Sequence, residues 1–443
     1  MAAKKKDEAL DDLATKAIEK EIDKPTGYNP LLASLAENDK KHLFKSNVTT
    51  AFHKTGYPQI DYYFGSVINI HDKTGKLIGQ EPRIGQAAGT FNLIIGASGS
   101  GKTTMAVQIS ANIIRQYPYA NVIHYDCEER FDQTRCENIT HLPASYFQAN
   151  PVERYCIKQG MVGLDTIQEM IVKTYVNKVR DKEHMYIDSG FKDEFGKPVM
   201  IYQPTVIIID SITTVLNETF SPDSNKDVKD AEAMRSNTEG ARDAKTLKGF
   251  FKDVLPLCKE ANIIIYGINH INQNMSMNAF LPVAKQQNFL KQDEIIPGGK
   301  TMIYYPYNII KLTAKPSDDF TMEGDGFAGY MVMVEPIKSS SNQSGNNSKG
   351  ISFNMVFSQK YGFDALRSMI MYGRDRGLIE GNRARLKFKD DPDTVFSMKT
   401  LYKDIHEKPI WEDINKYVTP TLKENLPFID PTECEFDPRQ FDY

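Results

Sequence analysis

Cysteine is sparse and scattered in this chain. Cys127, Cys136, Cys156, Cys258 and Cys434 form no CxxC pair. That excludes a disulfide framework or a cysteine-based zinc site as the organising element. Long hydrophobic runs are missing too. No stretch approaches the roughly 18 apolar residues that a membrane span needs, so no membrane partner is expected. Residues 1–24 are charged and lack the apolar centre of a secretory signal. Neither sign of charge dominates, since 54 Lys and Arg stand against 58 Asp and Glu, for a net charge of −4. A uniformly basic nucleic-acid coat is excluded. A local basic groove is not, because binding follows local fields rather than the sum. There is no internal repeat. The class left standing is an intracellular α/β protein, and 443 residues at about 150 per domain suggest two or three domains.

Apolar residues make up 40% of the chain and aromatics 10%, enough for a sizeable core. Residues 7–22 place Leu10, Leu13, Ala14, Ala17, Ile18 and Ile22 in a helical stripe. Such a helix is too short to stand alone. Residues 1–50 therefore read as an arm that docks elsewhere, or as a helix of its own domain. From Thr90 onwards strands and helices alternate. Phe91–Ile95, Asn121–Asp126, Val206–Ile209 and Asn262–Asn269 read as strands. Residues 105–116, 164–175 and 241–259 read as helices. This alternation predicts a mostly parallel central sheet. Residues 351–423 read as a small α+β domain, with a strand near Ser352–Phe357 and a helix over Asp364–Gly377. Residues 424–443 hold six acids and one base, Arg439, and read as a solvated tail. The low-complexity run Ser339–Gly350 reads as a hairpin tip.

One motif is specific. Gly96-Ala97-Ser98-Gly99-Ser100-Gly101-Lys102-Thr103, with Thr104 next, fits GxxxxGK[ST] without mismatch. It follows a predicted strand and opens a predicted helix, the context that makes it a P-loop. Its glycines let backbone N–H groups turn inward at phosphate oxygens, and the helix N-terminus adds its dipole. Lys102 would reach the β- and γ-phosphates of ATP, and Thr103 would ligate Mg²⁺. Asp210 ends the Val206–Ile209 strand, where a carboxylate would hold the hydration shell of that Mg²⁺. Alternatively, Asp210 caps the following turn. Asp126-Cys127-Glu128-Glu129 ends another strand, and either glutamate could polarise an attacking water. His270 ends the last buried strand. There it is either a γ-phosphate ligand or a structural histidine. Residues 271–296 form a long segment without periodicity, and long loops inside a compact domain are usually functional or disordered. It carries Phe280, Phe289, Lys285 and Lys291.

Taken in order, these pieces resemble the RecA-type recombinases, and in particular the recombinase family of T4-like bacteriophages. The stretches RQYPYANVIHYDCEE (115–129), DAKTLKGFFKDVLPLCKEANIIIYGINH (243–270) and PGGKTMIYYPYNIIKL (297–312) carry the resemblance, together with TGYPQIDYYFG (55–65). It spans roughly 40–425 and is strongest over 90–312. The resemblance implies a RecA-like P-loop ATPase core at 51–350, preceded by a protomer-docking arm at 1–50. It implies Glu128 as the catalytic glutamate and His270 as the γ-phosphate sensor. Arg135 falls at the position of an adenine-stacking side chain, for which a planar guanidinium is suited. Residues 217–230, with Lys226 and Lys229, correspond to a first DNA loop. Residues 271–296, followed by Gly298 and Gly299, correspond to a second.

The implied activity is ATP hydrolysis coupled to pairing and exchange of single-stranded with homologous duplex DNA. The implied assembly is a helical filament, with a loader and a single-strand-binding protein as accessory partners. The implied place is the cytoplasm, that of the bacterial host if the chain is phage-encoded. A ring ATPase of the replicative-helicase type on the same core is the competing reading. Three departures from the family pattern stand out. Residues 181–203 look like an inserted β-hairpin. Of the family's basic pair that reaches a neighbour's phosphates only Lys338 has a match, with Ser340 in the second place. The first DNA loop sets Lys226 and Lys229 against Glu218, Asp223, Asp227 and Asp230.

Overall fold

The β-branched run Val206–Ile209 lies within a strand, Thr205–Asp210, whose six residues are all buried. Continuous burial of this kind marks a strand covered on both faces. In the computed structural model it is one of nine strands in a single sheet. The structure describes residues 51–71, 77–147, 153–193, 196–212, 214–215, 239–273, 290–292, 294–319, 327–341, 352–426 and 428. The expected arm at 1–50, the first DNA loop at 217–230 and the acidic tail beyond 428 lie outside them.

In chain order the sheet strands are β1 (Phe91–Gly96), β2 (Asn121–Asp126), β3 (Tyr155–Gln159), β4 (Thr205–Asp210) and β5 (Ile263–His270), then β6 (Asn308–Asp319), β7 (Tyr330–Ser339), β8 (Phe353–Ser358) and β9 (Gly362–Asp364). Their spatial order is β9-β8-β7-β6-β1-β5-β4-β2-β3. All pairings from β6 through β1 to β3 are parallel, and β6 to β9 continue antiparallel. The expectation of a mostly parallel α/β sheet is met.

Side-chain alternation sorts the strands between two cores. Ile94, Val206, Ile208, Ile264, Tyr266 and Ile268 face one core. Leu93, Ile95, Ile207, Ile209, Ile263 and Ile265 face the other. Among the described residues, five helices of eight or more residues cover the two faces. They are α1 (Lys102–Arg115), α2 (Gln133–Thr140), α3 (Leu164–Arg180), α4 (Glu239–Ala261) and α5 (Ala365–Asp375). Helix α1 is buried nearly all round, with Met105, Ala106, Val107, Ile109 and Ile113 and also the polar Gln108 and Ser110 inside, as befits a central helix. Helix α4 buries Leu247, Phe250, Phe251, Val254, Cys258 and Ala261, a single stripe at helical spacing, against the second core.

The boundary expected at residue 351 does not separate two sheets. Phe353–Ser358 pairs with β7, and Gly362–Asp364 pairs with β8, so both extend the central sheet. Beyond them lie α5, a three-stranded sheet (Ile379–Asn382, Arg385–Phe388, Val395–Phe396) and short helices that join the first core through Met398, Leu401 and Ile414. Residues 48–443 form one compact unit. The hairpin expected within residues 181–203 is present, Tyr186–Lys192 with Pro198–Tyr202. Its apolar side, Val199 and Ile201, packs on Ala51. Among the described residues, no helix is long and apolar enough to cross a membrane.

Candidate nucleotide site

Four adjacent parallel strands end in register on one side of the sheet. Gly96 of β1 lies opposite His270 of β5, and Asp210 of β4 lies opposite Ile268 of β5 and Asp126 of β2. In sheets of this kind ligands bind beyond the carboxyl ends of the strands. A cleft of about 230 Å³ opens there, lined by Lys102, Thr103, Glu128, Arg135, Asp210 and His270 among others.

The chain leaves β1 at Gly96 and turns through 97–101 into α1. Gly101 caps that helix in the left-handed region at φ 89°. A Cβ there would stand 3.0 Å from the Phe363 ring, so both conformation and packing require glycine. Gly99 also has a left-handed φ, 75°, but open space around it. Ser100 Oγ donates to Ala97 O at 2.8 Å, closing the loop on itself. Ser98, Gly99, Gly101 and Thr104 also line the cleft.

Lys102 points inward. Its Nζ donates to Ala97 O at 2.8 Å and stands 3.4 Å from His270 Nδ1. His270 Nε2 stands 3.1 Å from Glu128 Oε1. A donating lysine at Nδ1 requires the Nε2–H tautomer, which then donates to Glu128. Arg130 meets the other oxygen of Glu128 at 3.3 Å. Thr103 Oγ1 donates to Asp210 Oδ2 at 2.5 Å. Burial pulls the Lys102 amine down to about 8 against the attraction of Asp210 and Glu128. Burial pushes the Asp210 carboxyl up to about 6, opposed by the Thr103 hydrogen bond. Both groups are thus desolvated, as sites that bind compact charge require.

The residues fit Mg²⁺ with a phosphate ligand. Among the described residues no cluster of three or more His, Cys, Asp or Glu converges on one point. Mg²⁺ does not need such a cage, since it retains waters and takes one or two protein oxygens plus phosphate oxygens. Thr103 and Asp210 would be those protein oxygens.

The two glutamates of the Asp126–Glu129 segment part company. Asp126 Oδ2 accepts from Phe131 N at 2.8 Å and from Gln159 Nε2 at 3.1 Å, which fixes the turn after β2. Within it Glu129 takes φ 54°, and Glu128 is the one facing the cleft. Arg135 sits in the first turn of α2, its N–H capped by Asp132, with its guanidinium 5.9 Å from the Phe131 ring at the cleft wall.

Lys338 is elsewhere. Its Nζ donates to three carbonyls, Ile303 O, Tyr304 O and Pro306 O, at 3.2, 2.9 and 2.7 Å. Burial lowers its pKa. Within this chain it ties β7 to the turn after Thr301–Tyr304 rather than lining the cleft.

The segment after His270 starts at the cleft. Asn272–Gln273 pairs with Glu294–Ile295, so the base of the long loop is a short ladder. Glu294 Oε2 accepts from Lys311 Nζ at 2.9 Å and from Lys291 N at 2.9 Å. Asn269 Nδ2 donates to Pro297 O at 2.9 Å. Gly298 and Gly299 take φ 86° and 65° in the turn beyond it, and a Cβ on Gly298 would meet Met302 at 2.8 Å. Lys291 is exposed. Lys226, Lys229, Phe280, Lys285 and Phe289 lie outside the described residues.

Several residues at the cleft or against its glycine loop carry no motif. Arg130 is one. Tyr330 reaches from β7 to donate to Gly99 O at 3.2 Å, and Gln359 donates to the Tyr330 hydroxyl at 3.3 Å. Arg130 could have been suspected from its place beside Glu128. Tyr330 and Gln359 could not, because only the antiparallel extension of the sheet brings them to the P-loop. The chain matches no protein-family model and no curated protein, which leaves the cleft itself as the ground for a functional reading.

Proposed function

We propose that the chain is an ATP-dependent DNA recombinase of the RecA type. The observation that carries this reading is the position of His270. It touches Lys102 of the P-loop and Glu128 across the cleft, and the ladder that founds the long loop begins two residues later. A residue so placed can register a γ-phosphate and pass its presence to a DNA-binding segment.

On this reading each residue has a role. The N–H groups of 97–103 and Lys102 hold the ATP phosphates. Thr103 and Asp210 hold Mg²⁺, whose charge offsets that of the phosphates. Glu128 orients and deprotonates the attacking water. Arg135 stacks on the base. The fold this reading implies is a RecA-like P-loop core. The assembly is a helical filament in which the arm at 1–50 docks on the next protomer and the loops at 217–230 and 271–296 hold single-stranded DNA. It would pair that strand with a homologous duplex, in the cytoplasm of a bacterial host if phage-encoded.

The test joins ATP hydrolysis with and without single-stranded DNA to negative-stain microscopy with a slowly hydrolysed ATP analogue. DNA-stimulated hydrolysis and open helical filaments are expected. Closed hexameric rings that unwind long duplexes would support the motor reading instead. Failure to bind nucleotide would overturn both.

A further inference from the structure

The nucleotide cleft is smaller than a second cavity. That cavity encloses about 630 Å³ between α1 and the C-terminal elements. Its wall is rich in aromatic side chains, including Tyr57, Phe327, Tyr402 and Trp411. Cavities of this size and apolar lining with a few placed polar groups are typical ligand sites.

The inner polar groups are already matched. Asp364 Oδ2 accepts from Arg367 Nη1 at 2.7 Å and from Tyr402 Oη at 2.8 Å. The Arg367 guanidinium lies 4.2 Å from the Phe327 ring centroid and 4.8 Å from that of Tyr402. The surplus charge is at the mouth. Arg115, at the end of α1, is exposed there, its guanidinium donating to Asn112 Oδ1 and Thr140 O but facing no second carboxylate among the described lining residues. An occupant should therefore bring aromatic rings and negative charge.

The chain's own C-terminus has that composition. Residues 429–443 read IDPTECEFDPRQFDY, with five acids against Arg439. Two phenylalanines are flanked by carboxylates, Phe436 by Glu435 and Asp437, and Phe441 by Asp442. The segment starts close by. Leu426 packs on Gly65, just beyond the helix Pro58–Tyr63, whose other end is preceded by the cavity residues Gly56 and Tyr57. That helix is six residues long, or about 9 Å at 1.5 Å per residue. Fifteen residues follow Phe428, reaching up to about 50 Å when extended. Over so short a span a tethered segment has an effective concentration of roughly millimolar, so a weak site would be filled.

We propose that this cavity is a docking site for an acidic aromatic peptide and that residues 429–443 of the same chain occupy it. One of Phe436 and Phe441 enters the aromatic wall, and a neighbouring carboxylate meets Arg115. The site stands whether or not the chain hydrolyses ATP.

Trp411 lines the cavity and is the chain's single tryptophan, so its emission reports the site without a label. The experiment compares the full-length chain with the full-length variant carrying Phe436→Ala and Phe441→Ala. The variant should show a red-shifted Trp411 emission. A synthetic peptide of residues 429–443 should reverse the shift saturably, and the same peptide with both phenylalanines replaced should not. Adding Arg115→Gln to the variant chain should weaken peptide binding roughly tenfold at low salt, the scale of one charge-assisted hydrogen bond. Identical emission from both chains, with no response to peptide, would overturn the proposal. So would an emission that depends on protein concentration, since the occupant would then be a second copy.

Discussion

His270 Nε2 and Glu128 Oε1 meet at 3.1 Å, although 142 positions separate them in the chain. The contact exists because β5 and β2 flank β4 in one parallel register, so their ends arrive at the same level. It makes the histidine and the glutamate one unit. A group that draws His270 toward a phosphate also frees an oxygen of Glu128.

Hydrolysis should separate from binding at Glu128. Glu128→Gln keeps the size of the side chain and an oxygen for His270 but removes the base. Turnover should fall by roughly 10²–10⁴, the usual weight of a general base. Affinity for a fluorescent ATP analogue should stay within a factor of a few, whereas Lys102→Ala should weaken it. Wild-type turnover in Glu128→Gln would move the base to another residue.

Coupling should reside in His270. Only a contact that differs between the ATP and ADP states can shift a loop population. His270→Ala should leave ATP binding nearly intact and abolish the difference in single-stranded DNA affinity between the two states. Linkage is reciprocal, so DNA should also cease to raise ATP affinity. Fluorescence anisotropy at fixed salt reads both. A full nucleotide-dependent difference in the variant would make this histidine structural.

The parts of the site that were legible in the sequence are those built from contiguous residues. The P-loop is a local turn, and the GxxxxGK[ST] spacing carries its conformation. Asp210 was legible because the four apolar residues before it announce a buried strand and hence an end. Features that depend on pairing between distant strands were not legible. Residues 353–364 read as a separate domain because nothing local tells a strand which sheet it joins. Strand alternation could not decide between Glu128 and Glu129 for a related reason. The strand stops at Asp126, and the turn is set by its hydrogen bonds to Phe131 and Gln159. Lys338 is a basic residue at a plausible position, yet three backbone carbonyls, invisible in sequence, take up its donors.

The Lys311–Glu294 pair should brace the loop base. Both side chains are largely shielded, at 9% and 15% exposure. Burial raises the Glu294 carboxyl, but its hydrogen bonds to Lys291 N–H and Lys311 outweigh this and hold it below the usual range. Removing one member of a buried pair leaves a charge uncompensated and costs about 3 kcal/mol. Lys311→Met alone should therefore lower stability in urea unfolding by up to that amount, and Lys311→Met with Glu294→Leu should recover most of it. A double variant no more stable than the single would show that the brace does not depend on charge pairing.

Acid sensitivity should trace partly to His124. It is fully buried on β2, against Phe131 and Tyr155, and neither ring nitrogen has a hydrogen-bond partner among the described residues. Burial pulls its pKa down to about 4 from an ordinary 6.5, with Asp126 pulling slightly the other way. Between those values the unfolded chain takes up a proton that the folded chain refuses. Stability from this group is therefore full above about pH 6.5 and declines as the pH falls toward 4, by up to about 3 kcal/mol. His53 acts in the same direction, also lowered to about 4 by burial. Asp61 acts in the opposite one, since burial raises it to about 7 and its contribution grows as the pH falls. The raw profile mixes these with other shifted groups, Asp210 among them, so the difference from a variant isolates one. His124→Leu has nearly the same volume and no titrating group. At pH 7.5 it should be at least as stable as the parent, because an unpartnered buried ring nitrogen is itself costly. By pH 4.5 its advantage should have grown by about 2 kcal/mol in urea unfolding. An advantage that stays flat between those pH values would mean that His124 meets solvent and titrates normally.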